Sequence, residues 1–212
     1  MRTLKTWTLA VLAASSALSP ALAAGWNEAV NGDLSNDGLV PTIVTLAEGA
    51  TTVIGTTGRA VAGGTIDRDY FTIVVPAGHV LDGLVLQEGV TVVGGGSFLG
   101  LMAGPAFTVP PTTSTAAGLL GWTIYSDGNI GTDLLPAMSI PALSSSGFSI
   151  PLPAGAYSFW VQENGNGIAT YSFALSVSAV PEVPTALGLL GGLALLAARR
   201  RQVGSSGVKD IT

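Results

Sequence analysis

Tyr171-Ser172-Phe173-Ala174-Leu175-Ser176-Val177-Ser178 alternates large apolar residues with small ones at a period of two. Successive side chains leave a strand on opposite sides, so this spacing describes a strand with one face buried and the other wet. Tyr157, Phe159 and Val161 repeat the pattern against Ser158, Trp160 and Gln162. Phe71, Ile73 and Val75 repeat it again before Pro76-Ala77-Gly78 breaks the run, and Pro153-Ala154-Gly155 is the same turn signal ahead of the Tyr157 strand. Further strands are predicted at Thr42–Leu46, Thr51–Gly55, Leu81–Gln87, Ser97–Met102 and Leu119–Tyr125. Clusters of Gly, Pro, Asn, Asp or Ser separate them, and nothing between Trp26 and Ala179 sustains a helical period. This pattern predicts an all-β fold, an antiparallel, jelly-roll-like β-sandwich over residues 24–179. A stretch of that length buries a core without disulfides.

Composition narrows the chemistry. Of 212 residues, 48% are hydrophobic and only 10% charged, with no cysteine and one histidine. Thiolate metal sites, iron–sulfur clusters and cysteine nucleophiles are excluded, and imidazole acid–base catalysis has only His79 to draw on. The net charge of −5 conceals a regional imbalance: from Gly25 to Val180, 11 acids face two cations, Arg59 and Arg68. Two cations cannot neutralise a run of phosphates, so nucleic acid is not an expected partner. An acidic surface suits divalent cations and solubility alike.

The ends differ from the middle. Residues 1–23 read as a signal peptide helix: Arg2 and Lys5, then an apolar stretch from Trp7 to Leu18, then Ala21-Leu22-Ala23 before a cleavage point. That signal implies the Sec machinery as a partner and an exported mature chain. Thr185–Ala198 is uncharged and apolar, directly followed by Arg199-Arg200-Arg201. As a helix it covers about 21 Å of a hydrocarbon core of about 30 Å, a shortfall that snorkelling arginines and local thinning can meet. The arginines predict a transmembrane helix with a cytoplasmic C-terminus, residues 202–212 forming the tail.

Val180-Pro181-Glu182-Val183-Pro184, the short apolar helix and the arginine cluster together resemble the PEP-CTERM sorting signal of Gram-negative bacteria, although Val183 stands where that family usually has proline. The resemblance covers residues 180–201. It implies processing near Pro181-Glu182 by an exosortase-like membrane enzyme, and a setting in which extracellular polysaccharide is exported. A second resemblance lies in the middle. Asp67-Arg68-Asp69-Tyr70-Phe71-Thr72-Ile73-Val74-Val75-Pro76-Ala77-Gly78 and Pro153-Ala154-Gly155-Ala156-Tyr157-Ser158-Phe159-Trp160-Val161-Gln162 are similar to strands of bacterial pre-peptidase C-terminal domains. Those are β-sandwich accessories, usually set beside an enzyme, and some bind calcium through acids at the domain start and in the D-x-D pair.

Asp67 and Asp69 are two apart, so on a strand they project from one face. The opening segment carries Glu28, Asp33, Asn36 and Asp37. If it folds against the Asp67 strand, several hard oxygens converge, as calcium requires; otherwise these residues serve turns in solvent. The same pair, read as a glycosidase acid and base, would need a cleft between them. His79 reads as a solvated turn residue and Gly94-Gly95-Gly96 as a flexible turn without a phosphate-loop lysine. Trp160 alternates away from Tyr157 and Phe159, which puts it on an outer face, as a sugar-stacking contact or packed beneath a loop. The expectation is a secreted, non-catalytic β-sandwich, a structural or adhesive component of the cell surface or matrix. A polysaccharide hydrolase and a ligand-free single-pass membrane protein are the alternatives.

Overall fold

A computed structural model describes residues 25–61 and 63–181. The signal peptide with Ala21 and Ala23, the sorting residues Glu182, Val183, Arg199, Arg200 and Arg201, and the apolar stretch 185–198 lie outside the described residues. Among the described residues, no helix is long and apolar enough to cross a membrane.

The chain is mostly β. Its strands are β1 (Trp26–Asn27), β2 (Thr42–Ile43), β3 (Gly49–Gly58), β4 (Asp69–Val75), β5 (His79–Leu86), β6 (Ser97–Ala103), β7 (Gly121–Tyr125), β8 (Gly155–Glu163) and β9 (Ile168–Ala179). Among the described residues two short α-helices, α1 (Glu28–Asn31) and α2 (Leu135–Ser139), and a 3-10 turn at Asp127–Asn129 interrupt them. One sheet has the order β1-β3-β9-β5, the other β2-β4-β8-β6-β7. Between them lies one apolar core that includes Phe71, Ile73 and Phe159 from one sheet and Val53, Phe173 and Leu175 from the other.

The alternation that predicts β9 is observed: Tyr171, Phe173, Leu175 and Val177 are buried, while Ala174, Ser176 and Ser178 are half-buried on the other face. β3 is longer than expected because threonine and glycine fill inward positions, with Thr51, Val53, Gly55 and Thr57 all buried. The expected strand at 42–46 contracts to β2, whose last ladder contact is the Val44 amide on the Thr72 carbonyl.

Pairing is not antiparallel throughout. β1 runs parallel to β3, and β2 parallel to β4. Each of these two-residue strands is separated from its partner by well over the dozen residues that a parallel connection needs, so the chain can return to the same direction. The long strands are all antiparallel to their neighbours. His79 belongs to β5 rather than to the turn, paired with Ala179.

Register defines two poles. Val75, Gly155, His79 and Ala179 cluster at one, where β9 ends and the Val180 amide makes a last bond to the Gly78 carbonyl. Gly58, Ile168, Asp69 and Val161 mark the other. At about 3.3 Å per residue, Tyr171 and Ala179 on the same strand stand about 26 Å apart.

The outer face of the second sheet is aromatic. Tyr70, Trp160, Gly100 and Trp122 form one cross-strand row over β4, β8, β6 and β7. Phe107, Val109, Ala116 and Leu119, from the β6–β7 connection, close over Tyr70 and Trp160 as a second apolar cluster.

Candidate functional site

The acidic pole is built by the chain's first turn. Asn27 caps α1 by accepting the Ala29 amide at 3.0 Å, and the Trp26 indole donates to the Gly32 carbonyl at 2.9 Å. This hook lays Glu28 across β3. Its Oε2 accepts from the Thr56 amide at 2.8 Å and the Thr56 hydroxyl at 3.1 Å, while Oε1 accepts the Leu34 amide at 3.1 Å.

Asp69 opens β4 with no exposed surface. It accepts a hydrogen bond from Tyr171 Oη at 2.6 Å on Oδ2, and its buried Oδ1 has no hydrogen-bond partner among the described residues. Gly55 makes that contact possible, because a Cβ there would collide with Tyr171 Oη. Carboxylate oxygens of Glu28, Asp33 and Asp69 lie within 4.8 Å of one another.

Electrostatics follow from that geometry. Burial is the largest influence on Asp69 and pushes its carboxyl up to about 9, against the opposing Tyr171 hydrogen bond and with help from the negative charges of Glu28, Asp67 and Asp33. Glu28 and Asp67 are also raised, first by burial. Three carboxylates, one of them carrying the orphaned buried oxygen, form an all-oxygen donor set that suits a hard divalent cation.

Of the five acids expected at a cation site, the structure brings together Glu28, Asp33 and Asp69. Asp67 stands beside them, held by the Asn36 amide at 2.8 Å, and contributes through its field. Asp37 is not a member: it is exposed in its own turn, where Oδ1 accepts the Leu39 amide at 2.9 Å. Turn chemistry takes this residue, since an aspartate bonding two residues on is a local stop for the chain. Tyr171 and Thr56, which hold the site, carried no sequence signal beyond strand alternation.

Trp160 is on the outer face as expected, yet only 6% exposed beneath the β6–β7 connection, so it does not offer an open stacking platform. It forms part of the floor of a cleft of about 250 Å³. The half-buried rings at this opening are Phe98 and Trp122, both absent from the expected contact residues although their strands were predicted. A glycosidase reading of the aspartate pair meets a geometric obstacle, since fully buried Asp69 has no surface with which to reach a glycosidic oxygen.

No family model, curated protein or solved structure matches the chain.

Proposed function

We propose that this chain is an exported, non-catalytic display module of the cell envelope or its extracellular matrix, structural or adhesive in role and stabilised by calcium. The observation that carries the reading is the separation of exit and site. β9 ends at Ala179, Pro181 is exposed immediately afterwards, and the acidic cluster with its aromatic neighbour lies at the opposite pole. A domain tethered through residue 181 to a sorting segment would hold that pole outward. Proline at the strand's end also stops the ladder where the PEP-CTERM-like signal begins.

The fold reading that goes with this is a jelly roll. The segment around Thr132–Leu134 runs beside β5 through an isolated bridge between Val85 and Asp133 and the flanking Leu86–Thr132 and Leu134–Leu84 bonds. With it counted as a reduced strand, β3 to β9 give eight strands. Their order is β3-β9-β5-reduced strand in one sheet and β4-β8-β6-β7 in the other. Glu28, Asp33 and Asp69 would hold calcium, with Asp67 adding charge, and the ion would lock the opening hook onto both sheets.

The experiment is the intact mass of the protein isolated from its native envelope fraction. A mass lacking the signal peptide and ending near Pro181 or Glu182 is the expected result. A mass running to Thr212 would make the chain an ordinary anchored protein and defeat the sorting element of the proposal.

A further inference from the structure

The aromatic cleft has a second set of features that the cation site does not use. Its rings are fixed before any ligand arrives. The Trp122 indole donates to the Ala142 carbonyl at 3.2 Å, Phe98 stacks on Trp122 at 6.2 Å between centroids, and Phe98 meets Trp160 at 4.7 Å. Gly100 sits between the two tryptophans in the cross-strand row, and a Cβ there would press on the Phe98 ring at 2.9 Å. Absence of that one side chain lets three rings share the face.

Polar groups complete the lining. Gln162 spends its Oε1 on Arg68 Nε at 2.6 Å, and its Nε2 makes no protein hydrogen bond among the described residues. Asn164 donates to the Gly96 carbonyl at 2.9 Å, which leaves its amide oxygen as an acceptor. Thr113, Ser114 and Thr115 add an exposed rim with hydroxyl groups. Among the described residues none that lines the cleft is charged, although the described domain is strongly acidic.

Ligand chemistry follows from this combination. An uncharged wall gives an ionic ligand no partner, so a carboxylated or phosphorylated one would lose hydration without recompense. A purely apolar ligand would leave the Gln162 Nε2 and Asn164 Oδ1 groups unsatisfied. A ring with an apolar C–H face and hydroxyls around its edge answers both conditions, with the flat face on an indole and the hydroxyls on amide and hydroxyl groups.

We propose that the cleft bounded by Phe98, Trp122 and Trp160 binds a neutral hexose unit of a polysaccharide chain, stacked on Trp122. A polymer rather than a free sugar as the occupant rests on the extracellular placement proposed above. The cleft is open at its rim, so a chain can enter without threading.

The test uses the full 212-residue protein in detergent, titrated with cellohexaose, laminarihexaose and maltohexaose and, as an anionic control, a polygalacturonate hexamer. Tryptophan fluorescence and calorimetry report binding. Saturable binding of at least one neutral hexamer is expected, weakened at least about tenfold by Trp122→Ala and less by Trp122→Phe. Ser114→Trp, at an exposed rim position, is expected to block the opening without touching the packed cluster, which covers the case in which Trp122→Ala does not fold. No neutral hexamer bound at about 10 mM, binding indifferent to both Trp122→Ala and Ser114→Trp, or binding of the anionic hexamer alone would each overturn the proposal. These titrations are read on purified protein, so they fail or succeed independently of the envelope mass measurement.

Discussion

The two poles of the molecule are built from the same strands and behave as different materials. At the exit pole the chain turns through Pro76-Ala77-Gly78 and Pro153-Ala154-Gly155, both exposed except for half-buried Gly155, and the inward positions end on Val75, Tyr157 and Val177. At the other pole two of these inward rows, those of β4 and β8, end on carboxylates: Asp69 ahead of Phe71, Ile73 and Val75, and Glu163 after Phe159 and Val161. Glu163 is fully engaged, accepting from Ser97 Oγ at 2.7 Å, the Val93 amide at 3.1 Å and the Gly165 amide at 2.5 Å. Asp69 keeps one oxygen unpaired. One buried carboxylate thus serves as a structural clasp for the loop before β6, while the other is left with capacity for a ligand. Burial alone does not mark a site; unfilled hydrogen-bonding capacity does.

The largest effect that would sharpen this contrast is the response to pH of the cation-free protein. Folded Asp69 keeps its proton up to about 9, whereas an unfolded aspartate releases it near its ordinary value of 3.8. Between those limits unfolding releases a proton, so stability falls as pH rises, by up to about 1.4 kcal/mol per pH unit, and is flat from this group outside them. Urea unfolding from pH 5 to pH 8 measures the slope, and Asp69→Asn should remove most of it. An Asp69→Asn protein with the parental slope would place the titration elsewhere.

Next in size is the aromatic cover. Trp160→Ala should cost about 3–5 kcal/mol, because the ring touches Tyr70, Phe98 and Phe107 in a closed cluster. Glu163→Ala should follow at about 3 kcal/mol, since it strands the Ser97 hydroxyl and two backbone amides. Both are read from denaturant midpoints. At the exit pole, Gly78→Ala should cost only about 1 kcal/mol: its φ of 76° is unfavourable for alanine, but an added Cβ would meet nothing. A loss at Gly78 comparable to that at Trp160 would erase the distinction between the poles.

Much of this was legible in the residues. Alternation found β4, β8 and β9, and the proline-glycine turns located the end of β4 and the start of β8. The same parity that put Phe71, Ile73 and Val75 inside also puts Asp69 inside, and Glu163 lies on the inward parity of Phe159 and Val161; reading parity through to the charged residue would have flagged both. The acidic opening was visible as composition, but not which acids converge. That depends on the Trp26–Leu34 hook and on Gly55 admitting Tyr171, contacts between segments distant in the chain. β1 and the reduced strand beside β5 were invisible because two or three residues carry no period, whereas β2 was expected as the longer run 42–46. Trp160 pointed outward as its parity required, while the cover over it came from a Pro- and Thr-rich connection that reads only as loop.

A divalent cation at the acidic pole would join the opening hook, β3 and β4. Thermal unfolding of the full-length protein, with and without millimolar calcium at pH 5 and pH 8, tests it. Asp69 holds its proton at both pH values in the cation-free protein, and displacing that proton costs calcium less at pH 8, so a stabilising shift is expected that is larger at pH 8 and absent in Asp69→Asn. No shift at pH 8, or an equal shift in Asp69→Asn, would contradict it.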